Sequence, residues 1–179
     1  MLITTERLIL KPFGQDDLDI IYQLYSNREI MRYMPVACMD MEAAERHLNK
    51  IVGDWQKKPL LNMEMLVSLK DTGEKIGRCR IHIEEETESG MIGWLLLEKE
   101  WNKGYATEIT KALINYCFDE LGLRRVCALC NPKNIASNTV LQTCGLRKEG
   151  HYIEKCKYEK DGVVSWEDEA SYAMLKSER

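Results

Sequence analysis

The chain has 179 residues, 45% of them hydrophobic and 30% charged, with a formal net charge of −4. This length suits one domain over residues 1–179, with a core able to stand without disulfides or metal, and the composition excludes a largely disordered chain. The acidic balance argues against a nucleic-acid partner, since no basic footprint meets a phosphate backbone, and it tolerates a cationic ligand such as an amine.

The elements are read in chain order from hydrophobic periodicity and turn residues. A strand, Arg7 to Lys11, is ended by Pro12. A helix from about Asp16 to Ser26 carries Leu18, Ile21, Tyr22, Leu24 and Tyr25 at helical spacing behind an acidic first turn. A second helical region covers Asp40 to Trp55. Strands Met63 to Leu69 and Lys75 to Ile83 are joined at Asp71, Thr72 and Gly73, a hairpin signal. An acidic loop, Glu84 to Glu88, leads to a strand at Met91 to Leu97. The next helix runs from Ala106 to Leu121 and stops near Gly122. Arg125 to Cys130 is a strand, and Asn134 to Thr143 a short helix closed by Gly145. Strands His151 to Glu159 and Trp166 to Leu175 meet at a turn of Lys160, Asp161 and Gly162. The order β α α β β β α β α β β describes an α/β domain with a mixed sheet, whose chemistry belongs at the strand–loop–helix–strand unit from Met91 to Cys130.

No apolar stretch approaches a membrane span, and the N-terminus lacks a signal-peptide pattern, so a cytoplasmic location without membrane attachment is expected. The seven Cys are scattered, as in a reducing compartment. Cys127 and Cys130 form a C-x-x-C pair, but strand alternation separates their side chains and no partner pair stands at zinc-ligand spacing, so no metal is expected.

Between the Met91–Leu97 strand and the following helix lie Trp101, Asn102, Lys103, Gly104, Tyr105, Ala106 and Thr107. The first amides of a helix have no intrahelical acceptors and sit at the positive end of the aligned peptide dipoles, which suits an anion. Gly104 permits a sharp turn or close approach, and Ala106 keeps the first turn free of bulk. Taken alone, the same residues also describe a plain strand-to-helix connection.

Three segments together are similar to the GNAT superfamily of acyl-coenzyme A N-acyltransferases, in the branch related to ribosomal-protein-alanine N-acetyltransferases. They are Thr5 to Pro12, Ile92 to Glu108, and the set Asn131, Pro132, Asn134, Ser137 and Gly145. The resemblance implies a mixed sheet of about seven strands, splayed in the middle and flanked by about four helices. It implies acetyl-coenzyme A as donor, no metal, and a primary amine as acceptor, either a protein N-terminus or a small amine. Backbone amides of Asn102, Lys103, Gly104, Tyr105, Ala106 and Thr107 would hold the pyrophosphate, and backbone groups of Leu95, Leu96 and Leu97 the pantetheine arm. Asn134 would contact that arm or cap the next helix, and both can hold.

The catalytic residues are less plain. The position where many relatives carry a Tyr acid is Leu141, and the Glu of the branch before the Ile–Gly pair is replaced by Met91. Ser137 stands where the branch has a Ser thought to assist the leaving sulfur, and it equally suits a capping hydroxyl. A leaving thiol, pKa about 8.5, needs little acid near pH 7, whereas a Lys acceptor, pKa about 10.4, costs about 4 to 5 kcal/mol to deprotonate. An α-amino acceptor, pKa about 8, costs far less. Candidate bases are Glu154 or Glu159, Glu84 or Glu86, and His82, histidine being a common general base. Tyr22, Tyr25, Tyr33, Met31, Met34 and Trp55 line either an acceptor pocket or ordinary core. The competing readings are an acyl-coenzyme A sensor without turnover and a scaffold without cofactor. Monomer and homodimer both remain open, the final hairpin offering strand edges.

Overall fold

The computed structural model describes residues 2–160 and 162–179. One eight-stranded sheet carries the chain in the spatial order β1-β2-β3-β4-β5-β6-β8-β7. Its strands are β1 (Ile3–Thr4), β2 (Leu8–Pro12), β3 (Asn62–Leu69), β4 (Lys75–Glu84), β5 (Ser89–Leu96), β6 (Arg125–Cys130), β7 (Arg147–Lys160) and β8 (Val163–Leu175). The helices are α1 (Leu18–Ser26), α2 (Met41–Asp54), α3 (Tyr105–Asn115, extended by a π turn over Tyr116–Glu120) and α4 (Ile135–Thr143).

The eighth strand relative to expectation is β1, whose two residues pair Ile3 with Leu10 and Thr4 with Ile9. Two residues are too few to display alternation, so only the pairing defines them. Strands β7 and β8 begin four and three residues earlier than the periodicity suggests. Register shifts between Lys148 and Gly150 and between Tyr152 and Cys156 interrupt the alternation that would have marked the start of β7. The expected hairpin turn falls between them, and its Asp161 lies outside the described residues. The first helix is shorter than its pattern, with Gln15–Asp17 forming a separate 3₁₀ turn.

Two cores follow from alternation on β3, β4 and β5. Met63, Met65 and Val67, with Ile76, Cys79, Ile81, Ile92 and Leu96, point to the face covered by Ile109, Leu113 and Phe118 of α3 and its extension, and by Leu141 of α4. Leu66, Leu95 and Leu97 point to the opposite face, against Ile20, Ile21 and Leu24 of α1 and Ala44, Leu48 and Ile51 of α2. Truncating any one of these fully buried Leu side chains to Ala costs about 2 to 5 kcal/mol.

All neighbouring strands are antiparallel except β5 and β6. That parallel pair holds for only three steps, Ser89 with Arg125, Gly90 with Val126 and Met91 with Cys127. Beyond it β5 continues to Leu96 and β6 to Cys130, so the sheet forks at the Met91–Cys127 row. The expected splay thus has a definite address.

Candidate active site

On one prong of the fork, the end of β5 feeds the loop that starts α3. Gly104 is the cap of α3 at φ +83°, and Asn102 also takes a left-handed conformation at φ +60°. Glu108 N donates to Gly104 O at 3.1 Å, the first bond of the helix, so the amides of Gly104 to Thr107 have no intrahelical acceptor. Their N–H groups converge at the positive end of the helix.

A carboxylate in that first turn would repel an anion, and Glu108 is such a carboxylate. It is neutralised from the far end of the chain. Thr5 Oγ1 donates to Glu108 Oε1 at 2.6 Å, Arg7 N to the same oxygen at 2.8 Å and Arg7 Nε to Oε2 at 2.7 Å. Partial burial pushes the Glu108 carboxyl up, but these bonds and the Arg7 charge outweigh it and hold the pKa below the ordinary value. Arg7 Nη1 also donates to Lys103 O at 3.0 Å, and its guanidinium lies 4.6 Å from the Tyr105 ring centroid. A Cβ added to Gly104 would stand 3.3 Å from Arg7 Nη2. The Thr5–Arg7 segment and the loop are therefore one unit, joined across about a hundred residues of sequence.

Along β5 the backbone alternates between β4 and the fork. Leu97 N donates to Ile76 O at 2.9 Å, so that amide is used within the sheet. Leu95 O lies close against Gly77, 2.3 Å from where a Cβ on that residue would be, and also faces β4. Of the three expected positions only Leu96 turns its backbone to the fork, where its carbonyl accepts from Trp101 Nε1 at 3.0 Å; alternation adds Trp94. Leu95 and Leu97 instead contribute side chains to the core under α1 and α2.

On the other prong, β6 ends in the turn Asn131–Asn134 that starts α4. Asn134 caps the helix, its Oδ1 accepting from Ser137 N at 3.1 Å. The Ser137 hydroxyl is partly exposed and has no hydrogen-bond partner among the described residues. Leu141 is 1% exposed and belongs to the core. Sequence reasoning missed the residue that organises this prong. Asn138 Nδ2 donates to the carbonyls of Asn131, Pro132 and Asn134 at 3.1, 3.4 and 2.7 Å, while its Oδ1 accepts from Tyr172 Oη at 2.6 Å. Nothing in a lone mid-helix Asn signals such a role until its neighbours are known.

The fork is overhung by the β7–β8 hairpin. Tyr158 Oη donates to Tyr33 O at 2.8 Å, and Lys160 Nζ to Met31 O and Arg32 O at 2.8 and 2.7 Å, tying the hairpin to the α1–α2 connection. Asn131 is buried, and its Oδ1 accepts from Lys133 N at 2.8 Å. Met31 and Tyr25 are core residues here, with Tyr22 and Met34 packed against them, so the aromatic and Met set chiefly fills the interior.

The candidate bases separate. His82 pairs with Met91 across β4 and β5, on the row where the sheet forks, and its Nδ1 meets Asn62 Oδ1 at 2.7 Å. Glu154 sits in the β7 bulge at φ +47°, exposed, with its amide donating to Asp168 Oδ1 at 2.9 Å. Glu84, Glu86 and Glu159 are exposed as well. Among the described residues no group of His, Cys, Asp and Glu could hold a metal ion, and no helix is long and apolar enough to cross a membrane.

Residues 7–147 match the family model described as an acetyltransferase (GNAT) domain. The chain belongs to the GNAT family. It is 34% identical over 178 residues to YnaD of Bacillus subtilis, described as an uncharacterized N-acetyltransferase, with 99% of each chain covered. The structure of a GNAT-family acetyltransferase from Bacillus anthracis superposes with a TM-score of 0.86 at 31% identity, covering 99% of this chain and 100% of that one. Two more distant acetyltransferase structures share the fold at a TM-score of 0.82. One is RimL, a ribosomal L7/L12 α-N-protein acetyltransferase in complex with coenzyme A, at 19% identity and 98% coverage of both chains. The other is a spermidine N-acetyltransferase from Vibrio cholerae with coenzyme A and spermine, at 21% identity and 97% and 98% coverage. The chain is thus a GNAT N-acetyltransferase.

Proposed function

We propose that this GNAT enzyme transfers the acetyl group of acetyl-coenzyme A to an α-amino group, with the donor lying in the fork between β5 and β6. The observation that carries the reading is the unpaired amide cluster at Gly104–Thr107 beside the Arg7 guanidinium. The pyrophosphate accepts from those amides, with Asn102 and Lys103 shaping the approach, and Arg7 cancels the charge of Glu108 that would otherwise oppose it. The pantetheine amides pair with the fork-facing backbone of Leu96 and Trp94. Four residues back from Leu97, about 13 Å along the strand, is Gly93, just past the fork, and there the thioester arrives.

The neutral amine then attacks the thioester carbonyl carbon, the C–N bond forms, and the tetrahedral intermediate collapses by breaking the C–S bond. The electron pair leaves on sulfur as a thiolate, stable enough near pH 7 to need only a hydrogen bond, which Ser137 Oγ donates. Asn134, its Oδ1 engaged in the helix cap, offers its Nδ2 to the pantetheine arm. The proton lost by nitrogen passes to water or to His82, which shares its row with the fork. Glu154, exposed and committed through its backbone to the β7 bulge, is left without a role. A weak base suffices for an α-amino group and not for a Lys side chain, which favours the former.

The test is release of free thiol from acetyl-coenzyme A with a panel of amines, including peptides of different first residue. Turnover with α-amines above the background without acceptor is expected. Tight coenzyme A binding with no turnover for any amine would replace the reading with that of an acyl-coenzyme A sensor.

A further inference from the structure

Beside the fork, on the face of the sheet shared with α1 and α2, lies a charged cluster for which the reaction above has no use. Glu64 of β3 pairs in register with Arg80 of β4, and Arg80 with Gly93 of β5. Arg78, two residues earlier on β4, is 5% exposed at its side chain and has Nε 3.3 Å from Glu64 Oε1, yet Nε and Nη1 have no hydrogen-bond partner among the described residues. Tyr25 Oη donates to Glu64 Oε1 at 3.3 Å, and His47 Nε2 lies 3.7 Å from the same oxygen. Two guanidinium groups thus face one carboxylate, and among the described residues Arg80 forms no ion pair of its own.

The position of Arg80 decides what this excess charge can do. It is exposed, whereas Glu64 is only partly exposed and Arg78 is buried. Surrounding protein and the like charge of Arg78 pull its pKa below the ordinary value, although the Glu64 carboxylate acts in the opposite direction. Its partner across the pair is Gly93, the first residue of β5 on this face beyond the fork, and a Cβ there would stand 3.6 Å from Arg80 Nε. The lack of a side chain leaves the guanidinium open beside the place assigned to the thioester.

We propose that Arg80 selects an acceptor amine that carries a carboxylate, and that Arg78 behind it sets the sign of this side of the cleft. A guanidinium is a planar donor fork suited to a carboxylate, and its charge disfavours an approaching polycation. The net charge of −4 makes the preference opposite to what the whole surface would suggest. The inference deepens the acetyltransfer reading and rests on it.

The test compares kcat/KM within two matched pairs, glutamate against glutamine and Ser-Glu-Ala-amide against Ser-Gln-Ala-amide, with spermidine as the cationic reference. The first pair reports a free amino acid and the second a peptide N-terminus. The unmodified enzyme is expected to favour the anionic member of at least one pair by tenfold or more. That ratio should fall below about threefold in Arg80→Gln and persist in Arg80→Lys. Ratios near one in both pairs, a ratio unchanged in Arg80→Gln, or spermidine as the better substrate would each overturn the proposal. Should no amine be turned over, the acetyltransfer reading fails separately, and the same pairs are titrated by calorimetry into the coenzyme A complex. Equal affinity there overturns the charge preference, and tighter binding of the anionic member, lost in Arg80→Gln, upholds it.

Discussion

Gly104 holds φ +83° at the start of α3, and Arg7 lies within contact of where its side chain would be. Both facts concern the donor alone. Arg7→Ala removes two side-chain bonds to the loop and leaves the Glu108 charge in the first turn of α3, so coenzyme A should bind about 3- to 10-fold more weakly, as read by calorimetry. Thr5 and Arg7 were legible as part of a family-like opening segment, but not as the clamp on Glu108, because no local rule links residues separated by a hundred positions. Ser137→Ala should lower kcat a few-fold with little change in KM, since the hydroxyl is assigned only to the departing sulfur. An unchanged kcat would remove it from the mechanism.

At the scale of elements, the fork depends on two supports, the α3 cap and the turn before α4. Asn138 Nδ2 holds that turn through the carbonyls of Asn131, Pro132 and Asn134, and Asn138→Ala would remove these bonds and leave the Tyr172 hydroxyl without its acceptor. A loss of about 1 to 3 kcal/mol in chemical denaturation is expected, with KM for acetyl-coenzyme A raised because Asn134 and Ser137 ride on the same turn. Element order was readable throughout, since each helix and most strands carry clear periodicity. The exceptions have local causes: β1 is two residues long, and the bulges of β7 break the alternation that marks strand ends. The loop of residues 102–107 was legible because a glycine before a helix has a specific geometry. The choice among Leu95, Leu96 and Leu97 was not, because three consecutive Leu give no clue to which backbone edge faces a gap.

For the whole molecule, burial by itself would raise the Glu64 carboxyl, but Arg78, His47 and Arg80 outweigh it and hold the pKa at about 2. A depressed folded-state pKa adds stability that is fully present above the unfolded value of about 4.5 and is lost as pH falls toward 2. The melting temperature should therefore drop between pH 5 and pH 3, and Glu64→Gln should flatten that dependence. At neutral pH the same variant should lose about 3 kcal/mol, because it strands Arg78 in the interior. The cluster was invisible in sequence since Glu64, Arg78 and Arg80 meet only through the β3–β4 register, and His47 and Tyr25 come from two separate helices.

Binding of the donor at the α3 cap underlies every step of the mechanism, and titration calorimetry of coenzyme A into the unmodified protein and into Gly104→Glu tests it directly. The substitution places a carboxylate at the amide cluster in a left-handed conformation, while the cap residue itself is exposed. With circular dichroism unchanged, affinity should fall at least tenfold, and equal affinity in the two proteins would contradict the location of the donor.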